Sequence, residues 1–185
     1  MVGQIVAVVA VVAVLGWLVV AYNRLVGMRN RREEAWAGID VQLQRRADLV
    51  PNLVDTVRGY QVHEEGVLTE VTEARARIVA AAGPRESGQA DDQLEGALKT
   101  LFAVAEAYPD LKASDNFLAL QRELAELEED ISFARRYHNA LVQELNTAIE
   151  RFPTLLVAGP LGFRRAEFFK AAEEDRAVPQ AEFGR

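Results

Sequence analysis

Few side chains in this chain stand where they could do chemistry. The histidines are His63 and His138, and Glu64 and His138 both fall on inward-facing positions of helical heptad patterns. Carboxylates and imidazoles on facing helices hold di-iron centres in helical bundles, but through Glu-x-x-His pairs. Here the residue three before His138 is Arg135, and the residue three before His63 is Tyr60. His63-Glu64-Glu65-Gly66-Val67 also fails as His-Glu-x-x-His, because Val67 stands where the second histidine belongs. The absence of cysteine excludes disulfides, thiolate metal sites and cysteine nucleophiles. Ser87, Ser114 and Ser132 lie in no Gly-x-Ser-x-Gly, and no glycine loop suits a phosphate. The expectation is no catalytic residue, no cofactor and no metal, with His138 a core or rim histidine holding one hydrogen-bond partner. A cryptic metal-dependent hydrolase using carboxylates with His63 or His138 is the rival.

A second polar group, Arg45, Arg46, Asp48 and Asn52, crowds Asp48-Leu49-Val50-Pro51. This stretch reads as a corner with Asp48 as cap and Pro51 in the first turn, or else as a kink. The four side chains then either satisfy helix ends and pair with one another, or form a surface for a partner protein.

The elements that carry these residues follow from periodicity. Phe117, Leu120, Leu124, Leu127, Ile131, Ala134, His138, Leu141, Leu145, Ala148 and Phe152 step by 3 and 4 without a break, a seam about 54 Å long that other helices must cover. Leu53 to Ala81 repeats the pattern, closed by Gly83-Pro84 and Ser87-Gly88, and Leu94 to Ala105 marks a shorter helix ending near Tyr108-Pro109. Ser114, Asp115 or Asn116 can cap the long helix. Upstream, Met28, Trp36, Ile39, Leu43 and Val50 carry a stripe back toward the N-terminus.

Residues 1–23 hold no Asp, Glu, Lys, Arg or His, and Ile5 to Val20 is wholly Ala, Val, Leu, Ile, Gly and Trp. About 20 such residues cross a hydrocarbon layer, so Val2 to Ala21 is expected to be a transmembrane helix and not a cleaved signal. Arg24, Arg29, Arg31 and Arg32 come directly after it, placing the body on the cytoplasmic side of the plasma membrane with the N-terminus outside. They could also contact anionic lipid headgroups. Without those four, 17 basic residues face 28 acidic ones, a body near −11 that repels nucleic acid. The segment Phe152 to Phe169 is unusually apolar for a loop, and in an up-and-down bundle it returns to the bilayer. Phe152, Leu155, Leu156, Phe163 and Phe168 therefore either touch lipid or plug the open end of the bundle.

The run from Ala35-Trp36-Ala37-Gly38-Ile39-Asp40 through Arg45-Arg46-Ala47-Asp48-Leu49-Val50-Pro51-Asn52-Leu53-Val54 resembles the signature of the LemA family of bacterial membrane proteins. So do Tyr22-Asn23-Arg24-Leu25-Val26, Gly59-Tyr60, His63-Glu64, Ala74-Arg75, Tyr108-Pro109-Asp110-Leu111-Lys112-Ala113, Ala134-Arg135-Arg136-Tyr137, Asn146 and Phe152-Pro153. His138 and Leu145 depart from it, standing where the family usually has a tyrosine and another aromatic. The resemblance implies an N-terminal membrane helix, an antiparallel four-helix bundle and no established catalytic activity.

The expected fold is thus all-α: a transmembrane helix over 1–23 running into an antiparallel up-and-down four-helix bundle over 24–172, with a frayed tail over 173–185. The expected role is a non-enzymatic scaffold or regulator of envelope proteins at the inner membrane, its partners being the lipid bilayer and another membrane protein, with a homo-oligomer open. A lipid-interacting or membrane-remodelling role is the alternative.

Overall fold

The computed structural model describes residues 1–60 and 64–169, so His63 and the expected tail lie outside the described residues. Among the described residues every regular element is helical: α1 (Val2–Gly59), α2 (Glu65–Ala80), α3 (Gly83–Ala105), α4 (Pro109–Lys112), α5 (Asp115–Glu150) and α6 (Leu155–Ala158). The chain divides into two compact units. Among the described residues, the first holds Met1–Trp36 and Tyr137–Glu167, the second Ala37–Arg136 with Phe168 and Phe169.

In the first unit, the N-terminal part of α1 has an 18-residue stretch of mean hydropathy 2.8, long and apolar enough to cross a membrane. Val2, Val9, Leu15 and Val20 are all more than half exposed, so this stretch is apolar on every side and uncovered by protein. Cover begins at Ala21. From there Leu25 and Met28 pack with Val142, Leu145 and Ile149 of α5 and with Ala158, Phe163 and Ala166 beyond it. The turn after α6 closes through Phe163 N–H donating to Ala158 O at 2.9 Å and Gly162 N–H to Gly159 O at 2.9 Å. That pattern needs a left-handed residue, and Gly162 supplies it with φ +82°.

In the second unit, α1 presents Ile39, Leu43, Ala47, Val50, Leu53 and Val57 to the core, α2 presents Leu68, Val71, Ala74 and Ile78, and α3 presents Leu94, Leu98 and Leu101. The corner expected at Asp48-Pro51 does not form: α1 continues through Pro51 to Gly59, and the next helix starts at Glu65. A mid-helix proline strands the carbonyl four residues back. Here that carbonyl is Ala47 O, and Arg75 Nε of α2 donates to it at 2.9 Å, replacing the bond Pro51 cannot make.

Ser87-Gly88 likewise lies inside α3 instead of ending a helix. Gly83, at φ +80°, and Pro84 open α3, and the Glu86 carboxylate accepts the Ala82 N–H at 3.0 Å. Gly88 instead lets the Phe169 ring pack closely: a Cβ there would lie 3.3 Å from it, a tight contact. α5 matches the expected long helix, with Ser114 Oγ at its start accepting the Phe117 N–H at 3.5 Å. Its seam drifts, however. Val142, Asn146 and Ile149 are buried while Phe152 is 75% exposed. α5 ends at Glu150, so Phe152 lies in the turn beyond the helix and is not held on its buried side.

Candidate functional site

The described residues contain three polar environments that could act. The first surrounds His138. Its side chain is 1% exposed, and its ring meets Trp36 edge-on with centroids 6.2 Å apart. Burial lowers its pKa from the ordinary 6.5, the hydrogen bond with Asn139 opposes the shift, and the Arg32 charge adds to it. Nδ1 has no hydrogen-bond partner. Among the described residues no three His, Asp or Glu side chains gather as metal ligands.

The second is an ion network inside the second unit. Asp91 is fully buried, takes a hydrogen bond from Arg46 Nη1 at 2.9 Å on one oxygen, and pairs with Arg135 Nη2 on the other. Arg46 Nη2 reaches Glu128 at 2.7 Å. The Arg135 guanidinium lies over the Phe169 ring, 4.9 Å from its centroid. Two cations and two anions balance in an open chain, Glu128–Arg46–Asp91–Arg135, which suits a structural tie more than a reacting centre.

Of the four residues read as either pairing at helix ends or facing a partner, Arg46 is 4% exposed and committed to Asp91 and Glu128. Arg45, Asp48 and Asn52 are exposed. Arg45 and Asp48 line a surface groove of about 460 Å³ with Leu49, Leu127 and the carboxylates of Glu123, Glu126 and Asp130.

The third environment is formed in the first unit by the end of α5 and the segment beyond it. Phe163, read as either touching lipid or plugging the end of the bundle, is core: it stacks edge-on with Tyr22 at 5.8 Å, lies 5.7 Å from the Arg29 guanidinium, and packs on Leu25 and Met28. Asn146 fixes the same segment, its Nδ2 donating to Ala166 O at 3.0 Å and its Oδ1 accepting the Ala166 N–H at 2.8 Å. Phe152, Leu155 and Leu156 remain exposed, as do Arg24, Arg29 and Arg31, with Arg32 half-buried and paired to Glu33 at 3.2 Å. Phe168, in the second unit, is also exposed.

Sequence reasoning does not single out Asp91, Arg135, Glu128 or Phe169, although a signal exists. Asp91 extends Leu94, Leu98 and Leu101 backward by three, and Arg46 lies between Leu43 and Val50 at the same alternating steps. Opposite charges on inward positions are the mark of a buried pair.

The geometry defines a class: an all-helical protein whose N-terminal helix suits a bilayer. The LemA family model matches residues 35–183, and the chain belongs to that family. It is 30% identical to Protein LemA of Metamycoplasma hominis over 83% of this chain and 71% of the relative. It is 27% identical to Magnetosome protein MamQ 2 of Paramagnetospirillum magneticum over 90% of this chain and 71% of the relative. With MamQ of Magnetospirillum gryphiswaldense the identity is 25%, over 89% of this chain and 70% of the relative.

Proposed function

We propose that this protein is a non-catalytic, membrane-anchored scaffold or regulator of envelope proteins, held in the plasma membrane by residues 1–23 with its helical body in the cytoplasm. The observation that carries the reading is the groove that Arg45 and Asp48 share with Leu49, Glu123, Glu126 and Asp130. An apolar floor under a mainly acidic rim suits a basic, partly apolar segment of another protein, where electrostatics set register and rate of encounter. We take α1, α2, α3 and α5 to be the members of an antiparallel up-and-down bundle over 24–172, an arrangement favoured by the two-residue link between α2 and α3. The test places a photo-crosslinking residue at Glu126 in intact cells. A discrete adduct is expected, lost when Glu123 and Asp130 are both changed to Lys. An adduct indifferent to those changes, or equal from exposed Glu73, defeats the reading.

A lipid-facing role is the second reading, favoured by the exposed Phe152, Leu155 and Leu156. Leu155→Ser with Leu156→Ser then weakens association of the full chain with anionic vesicles while leaving its thermal stability unchanged. Unaltered vesicle association removes this role.

A further inference from the structure

The first unit contains a cleft of about 300 Å³ at the junction between the apolar stretch of α1 and the end of α5. Its walls are mixed: Trp17, Val20, Leu25 and Met28 are apolar, Arg24 and Arg151 are cationic, and Glu144 and Thr147 are polar. We propose that this cleft binds one anionic phospholipid with a hydroxylated headgroup, drawn from the bilayer around α1. Arg24 and Arg151 hold the phosphate, and Trp17 and Val20 meet the top of an acyl chain.

Position supports a lipid. The apolar stretch Val2–Ala21 is about 30 Å long as a helix, matching the hydrocarbon thickness, so Arg24 stands about 5 Å further along, at headgroup depth. Trp17 is then at the interface, where its ring is favoured. The cleft thus straddles the boundary a phospholipid straddles, and its volume is that of a small ligand site.

Charge supports an anion. Two arginines face one glutamate, and neither Arg24 nor Arg151 has an ionic partner among the described residues. Arginine forks suit phosphate oxygens. Two features oppose an anion, the Glu144 carboxylate and the carbonyl end of α5 at Glu150. Both are acceptors and ask for donors, which a headgroup carrying hydroxyls supplies. Thr147 and Thr154 add hydroxyls to the lining. The inference rests on the membrane reading of α1.

The test uses the full chain in phosphatidylcholine nanodiscs containing a minority of phosphatidylglycerol, with lipid retained on release counted by native mass spectrometry. Enrichment of phosphatidylglycerol is expected for the wild type. It should fall by about fivefold for each arginine removed in Arg24→Gln with Arg151→Gln. Arg31→Gln with Arg32→Gln, outside the cleft, should retain it. Ala148→Trp leaves both arginines but fills the cleft, and should lose it as well. Circular dichroism confirms that each variant is helical. Enrichment that survives the Arg24 and Arg151 changes, falls equally with Arg31 and Arg32, or survives Ala148→Trp overturns the site. Displacement by millimolar inorganic phosphate would reassign it to free phosphate and also overturn it. Protein that fails to enter discs at all refutes the membrane reading instead, a result separate from inserted protein without enrichment.

Discussion

Asp91 is a carboxylate shielded from water between two guanidinium groups, so removing it leaves like charges buried together. Asp91→Ala should lower the stability of the full chain by about 3–5 kcal/mol in urea unfolding. Glu128→Ala should cost far less, because that side chain is 37% exposed and water can replace it at Arg46. His138 behaves differently. Its folded-state pKa is depressed below the unfolded 6.5, chiefly by burial. Below that value the unfolded chain takes a proton that the folded chain resists, so stability falls as pH drops from 6.5 toward the folded pKa and is flat above 6.5. Unfolding midpoints measured across this range should slope for the wild type, and the slope due to this residue should vanish in His138→Gln. What could be read here from sequence was the inward position of His138. Its contact with Trp36 could not, since 102 residues separate them and no local pattern encodes which ring faces which.

At the level of helices, α5 was legible because its start carries a cap and its seam repeats with little interruption over 36 residues. The end of α1 was not. Asp48 followed by Pro51 has the chemistry of a helix start, and local rules favour a break. The override is tertiary: Arg75, on another helix, serves the carbonyl that would otherwise be stranded. Arg75→Met should therefore cost about 1–3 kcal/mol, the penalty for a buried unpaired acceptor. Combined with Pro51→Ala, which restores an N–H to Ala47, the same change should cost clearly less, a coupling that a double-mutant cycle reads directly. Ser87-Gly88 misled for a similar reason, since that glycine answers to the Phe169 ring and not to a turn.

For the molecule as a whole, the apolar N-terminal helix and the helical class were evident from hydropathy and periodicity alone. The family followed from motif runs such as Ala35–Val54. The segment after α5 was only half legible, because apolar content does not say which side chains turn inward. The structure separates them: Phe163 is core, while Leu155 and Leu156 face out. Phe163→Ser should thus destabilise the protein by about 3 kcal/mol or more in thermal unfolding, a loss the outward leucines do not share. Orientation is testable because the chain has no cysteine to interfere. A single Cys at Val2 should react with a membrane-impermeant maleimide on intact cells, and one at Asp115 should react only after lysis.

The bond between Arg75 and Ala47 also sets a direction on how the sequence can drift. A lineage that first exchanges its proline acquires a self-sufficient helix and can later discard the arginine at little cost. A lineage that discards the arginine first must cross a destabilised intermediate. Across divergent members, proline without its arginine should therefore be the rare combination, and arginine without its proline the tolerated one.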